Sequence, residues 1–261
     1  MNKQTLQIVK IGGNVINNDE ALLSFLKNFA ELPSPKILVH GGGKRASEIS
    51  SAMGLVPTMI NGRRVTDEAT LEIVTMVYAG LLNKKITSQL QKMGCNAVGL
   101  SGTDGNSILA HKRIVKDVDY GFAGDVDAVN SDFINVLLQN KLTPVFCAIT
   151  HDKNGQLLNT NADTIVSEVA IGMSELYETE LNFVFELKGV LENIEDKNAV
   201  ITHINSEKYK QLIADGTIAD GMLPKMQNCF NALNRGVQKV KIGDASMIDK
   251  AATLYTTISL K

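Results

Sequence analysis

Residues 36–47 read KILVHGGGKRAS, and this stretch decides the fold. Residues 37–40 run extended into Gly41, Gly42 and Gly43, and a segment with Ala46, Glu48 and Ile49 that reads as a helix follows at once. Three glycines in a row remove every side chain from the turn. Backbone N–H groups can then approach a bound anion, and the helix start adds its positive end. The competing reading of the same residues is a plain tight turn between a strand and a helix.

Upstream, the pattern occurs once already. Residues 6–10 read as a strand, Gly12 and Gly13 as its turn, and residues 19–31 as a helix with Leu22, Leu23, Leu26 and Phe29 on one face, ended by Pro33 and Pro35. Two strand–glycine–helix units in fifty residues predict an α/β protein with a mainly parallel sheet. Its ligands bind at the carboxyl ends of the strands.

The whole chain, 261 residues, is long enough for one large or two modest domains. Twenty-six Lys and Arg against 28 Asp and Glu leave no global basic field, so neither nucleic acid nor a membrane surface is the expected partner. Cys95, Cys147 and Cys229 are odd in number and widely spaced, which argues against a disulfide framework or a zinc site and for a reducing compartment. The first residues form too short an apolar run for a signal peptide, and no stretch approaches a spanning helix. The expectation is a cytoplasmic protein acting on a small molecule.

Downstream, Asn61-Gly62 signals a hairpin within residues 59–65 that carries Arg63 and Arg64. Thr66 is the expected cap of a helix over 67–92, whose middle, IVTMVYAGLL, is apolar on more than one face and must be covered on several sides. Short strands near 108–112 and 125–129 read as hairpins on the edge of the main sheet, Ser131 as the cap of a helix to 140, and 144–149 as one strand. Asn161 is expected to cap a helix with Asp163 in its first turn. The pattern then restarts, with strands at 181–186, 239–242 and 255–259, helices at 206–214 and 223–235, and a boundary near 172–176.

Several side chains fall where chemistry is expected. Lys10 ends its strand directly before the first glycine pair, and Lys225 stands early in a helix behind Gly221 and Pro224. Either lysine could equally be a solvated surface charge. Asp163 suits a helix N-terminus on dipole grounds, or could hold the lysines; Arg64 is a surface charge or a planar fork for a carboxylate. His40 and His111 read as structural. A P-loop and a dinucleotide GxGxxG are both absent.

With KIGGN (10–14), HGGGKRAS (40–47), NGRRVTDEA (61–69), LLNTNADT (157–164) and DGMLPKMQ (220–227) in this order, the chain resembles the acetylglutamate kinases of the amino-acid kinase superfamily over essentially its whole length. The resemblance implies a three-layer αβα sandwich in two lobes: residues 1–173 bind the N-acyl-glutamate and dimerise, and residues 174–261 bind ATP. It implies that Lys10 and Lys225 neutralise the transferring phosphoryl group and that Asp163 orients both. Gly12, Gly42 and Gly43 would donate backbone N–H groups, Arg64 and Asn159 would grip the substrate, and Gly12, Gly13, Glu186 and Gly189 would contact the nucleotide. Mg2+ would ride on the ATP phosphates, without dedicated protein ligands.

The implied reaction is phosphorylation of the γ-carboxylate of N-acetyl-L-glutamate in arginine biosynthesis. A succinyl in place of the acetyl group, answered by Lys44, Arg45 or Arg63, is an alternative. So are another amino-acid or carbamate kinase of the superfamily and an amino-acid sensor on the same fold. Where relatives commonly read Thr/Ser-Asp-Val before a glycine, this chain has Phe185-Glu186-Leu187-Lys188-Gly189. The chain begins nine residues before Lys10, whereas arginine-inhibited members carry an extra N-terminal helix. A plain homodimer without that inhibition, paired through 67–92, is therefore expected.

Overall fold

Residues Thr5–Ile11 bury Leu6, Ile8, Val9 and Ile11, which lie on both faces of the strand. A strand covered on both faces belongs in the interior of a parallel sheet, and that is its place in the computed structural model, which describes residues 3–60, 62–115, 117–193, 195–218, 222–249, 252 and 254–261. The strands in chain order are β1 (Thr5–Ile11), β2 (Lys36–His40), β3 (Met59–Ile60), β4 (Arg63–Arg64), β5 (Ala97–Leu100), β6 (Ile108–Lys112), β7 (Ala123–Val129), β8 (Thr143–Cys147), β9 (Ile149–His151), β10 (Leu157–Thr160), β11 (Glu178–Val184), β12 (His203–Ile204), β13 (Lys239–Gly243) and β14 (Thr256–Ile258).

Eight of them form one sheet in the order β12-β14-β13-β11-β1-β2-β8-β5, parallel except for β13 with β14. β1 pairs with β2 on one side and with β11 on the other, so strand order departs in opposite directions from this point. A crevice opens at such a switch, at the carboxyl ends of the strands. Lys10, Gly41 to Gly43 and Phe185 all lie there. Because β1 and β11 pair over seven residues, the two halves of the chain share a single sheet.

The helix Asp19–Glu31 is capped by the Asn18 side chain, which accepts from Ala21 N–H, and buries Leu22, Phe25, Leu26 and Phe29. Leu23, expected on that face, is 43% exposed, and Phe25 takes its place because 3.6-residue periodicity puts it beside Leu22 and Phe29. Lys36, buried at the start of the deciding stretch, donates to the Ala30 and Leu32 carbonyls left open at this helix's end.

Four expectations need correction. Asp67 rather than Thr66 caps the long helix, accepting from Thr70 N–H, and the helix is α-helical over Glu68–Thr75, π-helical over Met76–Leu82 and α-helical again over Asn83–Lys92. The strands near 108–129 do not edge the main sheet; β6, β7, β9 and β10 close on themselves as a small barrel. The strand expected at 144–149 is two strands, β8 in the sheet and β9 in the barrel, divided at Ala148. Asn130, not Ser131, caps the helix Ser131–Gln139 through Phe133 N–H. The short hairpin pairs β3 with β4 as expected, with Asn61 of its turn outside the described residues.

Candidate active site

The carboxyl ends of β1 and β2, the hairpin, the π-helical segment and the barrel converge on one cleft of about 250 Å3. Lys10, Gly13, Gly41, Gly42, Gly43, Arg64, Asn159 and Asp163 line it, so the structure brings together most of the residues singled out from sequence. Asp163 opens the helix Ala162–Met173, where the Asn161 side chain accepts from its N–H as expected. Its carboxylate lies 2.8 Å from Lys10 Nζ. Asp163 Oδ1 is buried and makes no contact of its own beyond this ion pair.

Arg64 is buried. Its Nη2 donates to Gly43 O at 2.8 Å and Ser47 Oγ at 2.7 Å, while Nη1, also buried, has no hydrogen-bond partner. An unpaired buried guanidinium nitrogen is costly unless an acceptor arrives. Asn159 donates from Nδ2 to Thr66 Oγ1 at 3.0 Å. Tyr78, from the π-helical turn, stands beside Arg64; burial raises its phenol pKa against the pull of that cation, so it stays neutral and able to donate.

Gly42 is explained by close approach. A Cβ there would lie 2.4 Å from Leu82 Cδ1 and 2.8 Å from Tyr78 Cδ1, because the π-helical turn presses both side chains against the loop. The glycine pair after β1 divides its work. Gly12 N–H is already bonded to Val184 O at 3.0 Å, which corrects its expected role as a donor to phosphate; Gly13 is the member that lines the cleft.

Behind Lys10 and Asp163 lies a second, smaller cavity of about 20 Å3 between β11 and the helix Met222–Asn234, walled by Phe183, Phe185, Lys225 and Ile242 among others. Lys225 Nζ lies 5.0 Å from the centroid of the Phe185 ring, a cation–π contact. Gly221, read from sequence as part of this helix start, lies outside the described residues. Glu186 is exposed and accepts from Asn14 Nδ2, joining the segment after β11 to the short helix Gly13–Ile16. Gly189 lines neither cavity. Its missing side chain is accounted for by Thr256 Oγ1 and Val200 Cγ1, 2.5 and 2.6 Å from where a Cβ would sit.

Of the cations considered for an extra acyl charge, Arg63 lines the cleft, whereas Lys44 does not and Arg45 pairs with Glu48 on the surface. Sequence reading missed Tyr78 and Arg113. Arg113 reaches the cleft from beyond β6 and is held by Asp125 through contacts of 2.8 to 3.1 Å. Its signal was the Arg/Asp pair on facing strands of what reads as a hairpin. His111 pairs with Asp127 at 2.6 Å on an exposed face and takes no part. Cys95, Cys147 and Cys229 are free and buried.

The model of the Amino acid kinase family matches residues 5–244. The acetylglutamate kinase of Cytophaga hutchinsonii is 50% identical over 99% of this chain and 98% of its own, and that of Phocaeicola vulgatus 45% identical over 96% and 97%. Among solved structures, a Streptococcus mutans protein superposes with a TM-score of 0.79 at 27% identity, covering 98% of this chain and 99% of that one. The carbamate kinase of Giardia lamblia bound to AMP-PNP shares the fold alone, with a TM-score of 0.68 at 14% identity over 99% of both chains. Matched over nearly its whole length in both sequence and fold, the chain belongs to the amino acid kinase family.

Proposed function

We propose that this protein transfers the γ-phosphoryl group of ATP to the γ-carboxylate of N-acetyl-L-glutamate, forming N-acetyl-L-glutamyl 5-phosphate for arginine biosynthesis. Relatives 45–50% identical over almost the whole chain carry the name acetylglutamate kinase. The observation that carries the substrate assignment is Arg64 Nη1, buried without a partner in a cleft that also holds the Lys10–Asp163 pair. One end suits an α-carboxylate and the other a transferring phosphoryl group.

The chemistry needs little from the protein beyond placement and charge. A γ-carboxylate is ionised at neutral pH, so it attacks phosphorus without a general base. Two anions must still be brought together. Lys10 and Lys225 supply the countercharge, Asp163 holds Lys10 and shares the wall of the smaller cavity with Lys225, and Gly42 and Gly43 offer N–H groups to substrate and phosphoryl oxygens. Arg64 and Asn159 hold the amino-acid part, with Gly13, Glu186 and the lobe of residues 174–261 on the nucleotide side.

ATP use follows from membership of a kinase family, and we assign Mg2+ as part of the MgATP substrate. No group of three or more His, Cys, Asp or Glu side chains able to cage a metal occurs among the described residues, and Asp163 is the one carboxylate lining the cleft. Such a donor set suits an ion held mainly by phosphate oxygens.

A second reading, N-succinyl-L-glutamate as substrate, is favoured by Arg63 and Arg113 on the cleft wall, since a succinyl group brings one carboxylate more than acetyl. We further propose a cytoplasmic homodimer paired through the helix 68–92, whose Met76 and Leu81 are about half exposed. Among the described residues no helix is long and apolar enough to cross a membrane.

Trapping of the acyl phosphate with hydroxylamine in the presence of MgATP tests the reaction. Turnover is expected with N-acetyl- or N-succinyl-glutamate and not with free glutamate or aspartate. Absence of turnover with both acylated substrates would overturn the assignment.

A further inference from the structure

His40 is the last residue of β2, directly before the triple glycine, and is completely buried. Its ring touches two groups. Nδ1 lies 2.8 Å from Gly41 O and Nε2 lies 3.1 Å from Asn83 Nδ2.

The protonation state follows from the neighbours. Val145 O, 2.9 Å from Asn83 Nδ2, can only accept, so the Asn83 atom facing it is the NH2 group. At the other end of that amide, Lys84 Nζ donates to Asn83 Oδ1 at 3.2 Å, which fixes the same orientation. Asn83 Nδ2 therefore donates its second hydrogen to His40, and Nε2 must accept it. The ring proton is left on Nδ1, where it meets Gly41 O, again an acceptor only. Burial pushes the ring pKa down to about 4, so the imidazole is neutral and carries one proton.

A trans peptide is planar, with its C=O and N–H pointing in opposite directions. Holding the Gly41 carbonyl into the protein interior turns the N–H of the same peptide, which belongs to Gly42, outward to the cleft that Gly41, Gly42 and Gly43 line. A run of glycines has no side chains of its own to fix this orientation. The neighbouring π-helical segment supplies steric walls at Gly42 but no hydrogen bond to the Gly41 carbonyl.

We propose that His40 is a positioning residue: as the neutral Nδ1–H tautomer, anchored by Asn83, it grips the Gly41 carbonyl and thereby aims the Gly42 N–H at the developing charge on the transferring group. The role rests on the kinase reading above. The chain of contacts continues through Asn83 and Lys84 to the Gly99 carbonyl on the edge strand β5, so the loop is braced from the helix Asn83–Lys92 and from the sheet edge at once.

Two measurements on the full-length protein test this. In 15N-histidine NMR at neutral pH, the ring signal of the wild type that disappears in His40→Asn should report a neutral Nδ1–H imidazole; a neutral Nε2–H ring or an imidazolium would overturn the proposal. In the hydroxylamine assay, His40→Asn keeps an amide N–H near the position of Nδ1 and should retain kcat within about 3-fold. His40→Leu keeps bulk without a donor and should lower kcat by about 10- to 100-fold, with the KM for ATP changed by less than about 3-fold.

Equal losses in the two variants, or none in His40→Leu, would reduce the ring to packing and overturn the proposal. If His40→Leu does not fold, His40→Gln replaces it, since its longer amide reaches toward Asn83 rather than Gly41; it should lose kcat where His40→Asn does not. A wild-type protein without turnover sinks the kinase reading instead, and is distinguished because the tautomer is read without substrate.

Discussion

The two cavities on either side of the Lys10–Asp163 pair are built differently. The larger cleft is walled by glycine backbone, Asn159 and three arginines, with one guanidinium nitrogen buried and unpaired. The smaller is walled by Phe183, Val184, Phe185 and Ile242, has about 20 Å3 of room, and keeps its lysine against an aromatic ring. One side is preorganised, with donors already set where anionic oxygens arrive. The other is narrow and mainly apolar in its lining. Substitutions on the two sides should therefore fail in different kinetic constants.

The largest effect is expected between the cavities, where both sides depend on one residue. Lys10→Ala should lower kcat by about 1,000-fold with KM values within a few-fold, because its contact tightens as charge develops, and Lys225→Ala should follow in the same direction. Steady-state kinetics with either substrate varied reads this; an unchanged kcat in Lys10→Ala would remove it from the transition state. Arg64→Ala comes next. It should raise the KM for the N-acyl-glutamate by about 10- to 100-fold and leave the KM for ATP nearly unchanged, since a charge-assisted hydrogen bond is worth about 1.5–3 kcal/mol. An equal rise in both constants would erase the distinction between the sides.

Gly42→Ala and Gly189→Ala sharpen the comparison. Both add a Cβ within about 2.5 Å of existing atoms and should lower stability by about 1–3 kcal/mol in denaturant unfolding. Only Gly42→Ala should also depress kcat/KM for the amino-acid substrate. A specific rise in the KM for ATP in Gly189→Ala would support the nucleotide contact that the family resemblance implies for it.

The smallest effect concerns acid stability, far from both cavities. Burial alone would raise the Glu180 pKa, but hydrogen bonds from Lys241 and Gln7 and the nearby Lys239 charge outweigh it and hold the carboxyl near 2, below its ordinary 4.5. The stabilisation is present above about pH 4.5 and is lost as pH falls toward 2. Glu180→Gln should cost about 1 kcal/mol at neutral pH, after allowance for partial solvent screening. The melting curves of the two proteins should converge progressively below pH 4.5 and meet near pH 2; curves that stay parallel would rule this ion cluster out as the cause.

Much of this arrangement was legible in the chain because its determinants are local. Lys10, the glycine runs, Arg64, Asn159 and Asp163 each sit at a strand end or helix start that sequence pattern locates, and parallel topology then carries those ends to one edge. What escaped is what depends on distant elements meeting. Tyr78 looked like one more apolar residue of a greasy helix, since π-helical winding leaves no mark on the 3.6-residue pattern. The barrel was hidden because strands of three to seven residues can alternate equally well on a sheet edge or in a closed ring. The structural need for glycine at 189 was hidden for the same reason: the backbone and side chains that exclude a Cβ there come from Val200 and Thr256.

The pairing of β1 with β11 sets a schedule for biosynthesis. The neighbour of β1 on one side, β2, is encoded soon after it. Its neighbour on the other side is encoded about 170 residues later. At translation rates of about 5–20 residues per second, one edge of a strand destined for the middle of the sheet stays open for about 10–30 s. An uncovered apolar strand edge invites pairing with other chains. The strand that carries Lys10 into the cleft is thus also the one the nascent chain must protect longest.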